Sequence, residues 1–217
     1  MTIKVIIADD HSLVIEGLKP LLEKKSRDIV ITGQATDGKK FLELARKKPA
    51  DVYLLDIAMP SLNGIDAAAR LIRSDKTAKI IFLSMYDDRS TVEKAMKTGA
   101  KGYILKESAA DELIKAVREV SRGGYYLSPA LHSFMAESLQ NRDRAGLTPP
   151  RSGLLTSKER EIVQLIAEGL ANKQIAREMK ISANTVHAHR SNIAHKLNIH
   201  KQTDLVRYAI KEKLVKL

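Results

Sequence analysis

The run "YLLDIAMP" at 53–60 places Asp56 directly after three apolar residues and four residues before Pro60. An unpaired buried carboxylate is costly, so Asp56 must stand at a strand end or beside a cation. Two further acids, Asp9 and Asp10, close the apolar run "KVIIADD", and Lys106 closes "GYILK". Three carboxylates gathered in one cleft repel one another and raise each other's pKa values. A hard divalent cation resolves the conflict, and Mg²⁺ takes oxygen ligands while keeping several waters. Three acids, a lysine and Mg²⁺ suit phosphoryl transfer, with an acid as nucleophile and the cations neutralising the transferred oxygens. Ser84 ends "KIIFLS" with a hydroxyl that a phosphoryl group on Asp56 would engage. Tyr103 would then turn inward into the space Ser84 vacates, and Pro60 and Gly64 shape the turn after the acid.

These residues work together only if their strands are neighbours. Short apolar runs at 4–10, 30–35, 51–56, 79–84 and 102–106 alternate with helical patterns near 13–25, 38–48, 64–74, 89–98 and 109–122. Strands without polar alternation, separated by helices, predict a parallel sheet covered on both faces. That is an α/β, doubly wound (βα)5 domain over residues 1–125. In strand order 2-1-3-4-5, strands one and three adjoin, and their carboxyl ends bring the three acids into the ligand-binding crevice of such folds.

Residues 126–153 read as a connection. "SPALHSFMAESL" has a Ser–Pro start and suits a short helix, and "QNRDRAGLTPPRSG" is a polar linker. Residues 154–217 show no strand pattern and predict an all-α, four-helix domain with helices near 157–168, 172–179, 183–196 and 203–214. Within it, "NKQIAREMKISANTVHAHRSNIAHKL" has helix-turn-helix layout. Gly169 ends one helix, Asn172 caps the next, "KIS" turns, and Ser182 caps the third. Ile175, Ala176, Met179, Val186, Ile193 and Leu197 face inward. His187, Ala188, Arg190 and Ser191 face outward, a set able to enter a major groove.

Charge supports that division. The 217 residues carry a net +11, with 13 Lys+Arg against 6 Asp+Glu in residues 151–217 alone. A cationic excess concentrated in the smaller part suits a polyanionic partner. The chain has no cysteine, which excludes disulfides and thiolate chemistry. Four of its six histidines, His187, His189, His195 and His200, do not stack on one helical face, so they predict no zinc site. The amino-terminal "MTIKVIIADD" is no signal peptide, and no run reaches the ~18 apolar residues of a membrane span, so a cytoplasmic protein is expected.

The motifs "ADD", "LLDIAMPSLNG", "FLS" and "GYILKE" resemble, in order over residues 3–122, the receiver domain of two-component response regulators. The resemblance implies that Asp56 is the phospho-acceptor. Asp9, Asp10, the Asp56 carboxylate and the Ala58 carbonyl would hold Mg²⁺, Lys106 would contact the phosphoryl group, and Ser84 and Tyr103 would act as switch residues. Many receivers have proline after the lysine; here Glu107 follows, so a cis peptide is not expected. "LTSKEREIVQLIAEGLANKQIA" and "ISANTVHAHRSNIAHKL" resemble the LuxR-type DNA-binding domain of the NarL/FixJ regulators. That likeness implies that Lys173, Thr185 and Arg190 contact phosphates or lie near them, and that His187, Ala188 and Ser191 occupy base-facing positions. The family often has Lys or Glu where His187 stands. The implied partners are a sensor histidine kinase, double-stranded DNA, RNA polymerase and a second copy joined through the last helix, and no membrane. In the implied resting state the receiver covers the recognition helix, and phosphorylation releases it.

Two other functions are weighed. An aspartyl-nucleophile phosphatase would need a second acid two residues after Asp56, where this chain has Ala58. A receiver serving only as a dimerisation scaffold would not need so complete an acid site.

Overall fold

The structure, a computed structural model, describes residues 2–108, 110–132 and 155–216. The first module is a parallel sheet of β1 (Ile3–Ala8), β2 (Ile29–Ala35), β3 (Val52–Leu55), β4 (Ile80–Ser84), β5 (Gly102–Leu105) and β6 (Tyr126–Leu127). The order is β2-β1-β3-β4-β5-β6. Every residue of β3, β4 and β5 is buried, which is why these strands read as continuous apolar runs.

The covering helices are α1 (Ser12–Lys25), α2 (Gly38–Lys47), α3 (Gly64–Ser74), α4 (Arg89–Met96) and α5 (Ala110–Ser121). Phe41, Leu71 and Val92 of α2, α3 and α4 pack one face against Ile6, Leu55 and Phe82. Ile15 and Leu22 of α1 and Leu113 and Val117 of α5 pack the other, against Val5, Leu54 and Ile104. Asp37, Asn63 and Asp88 cap α2, α3 and α4 by accepting from the backbone N–H groups of Lys40, Asp66 and Thr91.

The sheet has one strand more than the sequence predicts. β6 pairs parallel with β5 through Gly102–Tyr126 and Tyr103–Leu127. A 3-10 turn at Pro129–Leu131 follows, and Leu131 is buried in the receiver core. The receiver layer therefore runs past residue 125, where the sequence reading begins the connection. Two residues are too few to show a strand period. Beyond residue 132, the expected short helix and polar linker lie outside the described residues.

The second module consists of α6 (Ser157–Ala167), α7 (Asn172–Met179), α8 (Ala183–Leu197) and α9 (Gln202–Lys211). Its core includes Ile162, Ile166, Ile175, Val186, Ile193, Leu205 and Ala209. A capping box of Thr156 and Glu159 starts α6. Gly169 follows α6 at φ 89°. Lys180 makes the left-handed turn after α7, and Ser182 Oγ caps α8 by accepting from Thr185 N at 3.0 Å. One expected cap is corrected. The residue before α7 is Ala171, whose N–H is satisfied at 2.7 Å by Gln174 Oε1. Asn172 is already helical, and its Oδ1 instead accepts from Arg190 Nη1 at 2.9 Å.

Gly64 opens α3 where the chain doubles back on Asp56. Its N–H donates to Ile57 O at 2.7 Å, and a Cβ placed on it would stand 1.9 Å from the Asp56 carbonyl oxygen. Gly64→Ala is expected to destabilise the protein by about 1–3 kcal/mol through overpacking, read from urea midpoints. A cost under about 0.5 kcal/mol, the size of a neutral surface change, would show that this loop yields freely.

Candidate functional site

The ladder of the sheet carries the acids to their places. Asp9 N donates to Ala35 O at 3.0 Å, Asp56 N to Ala8 O at 2.8 Å and Lys106 N to Ser84 O at 2.8 Å. Each functional residue is thus the first past its strand, held in register by the neighbouring strand. Asp9 and Asp56 are 1% and 3% exposed. Lys106 Nζ lies 2.6 Å from Asp9 Oδ2 and 3.1 Å from Asp56 Oδ1. Burial pushes the Asp56 carboxyl above the usual aspartate range; the Lys106 charge opposes this, and the Asp9 charge adds to it.

Four groups here have the makings of a metal centre. Ligand atoms of Asp9, Asp10, His11 and Asp56 lie within 4.8 Å of one another, the one such cluster among the described residues. Asp9 Oδ2 is buried and, beyond its ion pair with Lys106, accepts no hydrogen bond. The three carboxylates of this set, with the buried, under-coordinated Asp9 Oδ2 among their oxygens, fit a hard divalent cation. Ala58 is buried on the loop after β3 and offers a methyl group where a phosphatase would need an acid.

Sequence reasoning missed His11. Its Nδ1 is 3.1 Å from Asp9 Oδ1 and 3.2 Å from Asp10 Oδ1, and its N–H donates to Asp9 Oδ1 at 2.9 Å. Its position directly after "ADD" was the available signal. Lys216, also missed, reaches the pocket from the other module, 2.5 Å from Asp10 Oδ1 and 3.0 Å from Asp56 Oδ2. Nothing in the sequence marks it.

Ser84 is fully buried, and its Oγ accepts from Tyr86 N at 3.1 Å. Tyr103 differs from expectation, because its side chain is already inward. It is fully buried and donates its hydroxyl to Tyr86 O at 2.6 Å. Burial pushes its phenol well above the ordinary tyrosine range.

On the second module, Lys173, Thr185, His187, Ala188 and Ser191 are exposed, and Arg190 is half-buried beside Asn172. The buried stripe of α8, Val186 and Ile193, leaves this face outward. The expectation that the receiver covers α8 is corrected by this exposure. What docks on the receiver is α6 with Glu168 just after it, Glu178 of α7, and the chain after α9. Gln164, fully buried, donates from Nε2 to Met59 O at 2.8 Å, and its Oε1 accepts from Asn63 N at 2.9 Å. Glu168 Oε1 accepts from Ser61 N at 3.0 Å. Arg160 forks onto Asp66, Arg70 pairs with Glu161, and Lys94 pairs with Glu212 at 2.8 Å. The Gln164 and Glu168 contacts seize the loop that begins at Asp56, and the ion pairs hold α3 and α4 beside it.

Comparison with known proteins agrees with both modules. Residues 5–118 match the response regulator receiver domain, and residues 153–209 match the bacterial regulatory proteins of the luxR family. "Oxygen regulatory protein NreC" of Staphylococcus carnosus is 36% identical over 98% of this chain and 99% of its own. "Transcriptional regulatory protein DegU" of Brevibacillus brevis is 38% identical over 99% of this chain and 96% of its own. Among solved structures, the Salmonella typhimurium RcsB response regulator is 25% identical, with TM-score 0.59 over 95% of this chain and 97% of that one. An RcsB–DNA complex is also 25% identical, with TM-score 0.61 over 98% and 99%. Among the described residues, no helix is long and apolar enough to cross a membrane. With a receiver module and a LuxR-type DNA-binding module on one chain, and relatives matched along nearly its whole length, this protein belongs to the NarL/FixJ family of two-component response regulators, which are transcription regulators and not enzymes.

Proposed function

We propose that Asp56 is the residue that accepts a phosphoryl group from a partner sensor histidine kinase, and that its phosphorylation raises the affinity of this chain for specific DNA. In the transfer, the phosphorus–nitrogen bond of a phosphohistidine breaks and the imidazole keeps the electron pair. A phosphorus–oxygen bond forms to an Asp56 carboxylate oxygen. The observation that carries this reading is Asp56 itself: 3% exposed, with Lys106 Nζ 3.1 Å from Oδ1, and with Asp9 and Asp10 beside it. Mg²⁺, held by Asp9, Asp10, Asp56 and the Ala58 carbonyl, would supply charge neutralisation for the entering oxygens. Lys106 holds the acceptor carboxylate and then the phosphoryl oxygens. Ser84 offers its hydroxyl to those oxygens, and Tyr103, already inward, fixes the β4–α4 connection through Tyr86.

In this reading the receiver occupies residues 1–125, extended by β6 and the turn after it. A connection through residue 153 leads to the DNA-binding module of residues 154–217. Lys173, Thr185 and Arg190 contact phosphates, and His187, Ala188 and Ser191 face base edges from α8. Two copies joined through α9 would set half-sites about one helical turn, roughly 34 Å, apart. The RcsB–DNA complex supports the assignment of duplex DNA as ligand. Control of transcription then requires contact with, or exclusion of, RNA polymerase. The cytoplasm is where chromosomal DNA meets both.

A small-molecule phosphodonor with divalent metal is expected to raise the DNA affinity of the wild type by about 5-fold or more, within the usual range of coupling between sites. Asp56→Ala should show no rise; an equal response in both proteins would reject the mechanism. Lys106→Ala should also lose the response while retaining unphosphorylated DNA binding.

The DNA face has its own test. Arg190→Ala should weaken binding to all sequences alike and reduce the salt slope by about one unit, as loss of one phosphate contact does. His187→Ala should change the preferred base at one position of each half-site, measured by selection from a random pool. A pool unchanged by that substitution would assign His187 to the backbone.

A further inference from the structure

Lys216 lies five residues beyond α9, yet its ammonium stands in the acid pocket of the other module. It is 2.5 Å from Asp10 Oδ1, 3.0 Å from Asp56 Oδ2 and 3.2 Å from His11 Nδ1. Lys106 takes the other oxygen of Asp56. The two ammonium groups therefore divide the acceptor carboxylate, one on each oxygen. Lys106 directly follows β5 and is tied to the sheet by its N–H on Ser84 O at 2.8 Å. Lys216 belongs to the DNA-binding module and can leave.

Lys216 is placed there by the local fold. Lys213 adopts a left-handed conformation at φ 58°, and Leu214 N donates back to Ala209 O at 2.9 Å, closing the end of α9. Leu214 is buried in the helical core. Lys213 Nζ lies over the Tyr86 ring, 4.4 Å from its centroid. The chain just before Lys216 is thus held to both modules, by Leu214 in the helical core and by Lys213 on Tyr86. Burial opposes the charge on Lys216, but the hydrogen bond to Asp10 and the Asp56 charge outweigh it, and its pKa is raised.

A divalent ion using Asp10 and Asp56 oxygens would occupy the ground this ammonium holds. Two cations sharing those oxygens would repel each other at close range in a buried site. We propose that Lys216 is a built-in cation ligand of the acid pocket that competes with the divalent metal, so that metal loading expels the tail and loosens the docked DNA-binding module. This rests on the reading of the pocket given above, and it adds a competitor that the reading does not require. Linkage makes the effect reciprocal: whatever factor the tail takes from metal affinity, the metal takes from the docking equilibrium.

The test uses full-length, unphosphorylated protein. Mg²⁺ binding is measured by calorimetry for wild type, Lys216→Gln and Lys216→Arg. Lys216→Gln should bind Mg²⁺ about 5- to 20-fold more tightly than wild type, in the usual range of coupling between sites. Lys216→Arg should stay near wild type, because it restores the charge. Docking is read separately. The chain lacks cysteine, so a pair introduced at exposed Arg46 and Thr203 can carry spin labels for an inter-module distance. Mg²⁺ should broaden that distance in wild type, and Lys216→Gln should be broadened without metal. Equal Mg²⁺ affinity in wild type and Lys216→Gln, or a distance unmoved by metal, would overturn the proposal. In that case phosphorylation at Asp56 and its effect on DNA affinity would still stand. A wild type and a Lys216→Gln protein that both fail to bind Mg²⁺ would overturn this proposal and the metal reading of the pocket together.

Discussion

The structure depends on the neighbourhood of β1 and β3. Their parallel pairing joins Ala8 to Leu55 and hangs Asp56 N on Ala8 O at 2.8 Å. Once that ladder forms, Asp9, Asp10 and Asp56 have nowhere to be except together. Carboxylates so close, two of them almost fully buried, need cations, and every other feature of the site answers that need. Lys106 answers from β5, which lies two strands away from β3. Its long side chain spans the distance that a shorter one would not. The pocket is therefore an electrostatic problem posed by sheet topology, and the identity of the cation that solves it can change without moving the sheet.

What was legible in the sequence follows from the same topology. Strands buried on both faces print as apolar runs, and a charge at the end of such a run is conspicuous, so Asp9, Asp10, Asp56 and Lys106 could be read from single positions. Helices were legible where apolar spacing and caps coincide, as in α8 with Ser182. β6 was not, because it is two residues long and only half-buried. The cap of α7 was misread because asparagine is a good cap by type, while here its side chain is drawn to Arg190 by a contact eighteen residues away. Tyr103 could be placed on its strand, but its rotamer is set by Tyr86 O, a partner fixed only by the fold. Contacts between modules left no trace, since Gln164 and Lys216 look like ordinary helix and tail residues. No periodicity encodes what a second module will touch.

Docking through α6 gives the loop after Asp56 two owners. The loop's residues Ile57, Met59 and Leu62 are buried in the receiver core. Its backbone groups at Met59, Ser61 and Asn63 are satisfied by Gln164 and Glu168 of the DNA-binding module. Asn63 also caps α3 and binds Asp66, which in turn holds Arg160. A carboxylate that shifts, or gains a bulky anion, pulls on a backbone whose hydrogen-bond partners lie across the module boundary. The outward face of α8 is exposed. Steric cover of the reading face is therefore not what joins the two modules in this structure.

The chemistry of that boundary suits a reversible hold. Its named contacts are ion pairs and hydrogen bonds: Arg160 with Asp66, Arg70 with Glu161, Lys39 with Glu161 and Glu178, Lys94 with Glu212, and Gln164 on backbone. An apolar interface of similar extent would gain from every ångström squared removed from water and would resist opening. Polar pairs exchange their partners for water on opening, so each contributes a net of only about 0.5–3 kcal/mol even where, as at Asp66 and Gln164, one partner is buried. Such a surface can be specific in geometry while remaining weak in sum. Each module keeps its own apolar core intact on separation, because the clusters of the sheet and of the helical bundle share no residue. Opening then leaves both apolar cores in place, so the balance at the boundary is set by its polar contacts.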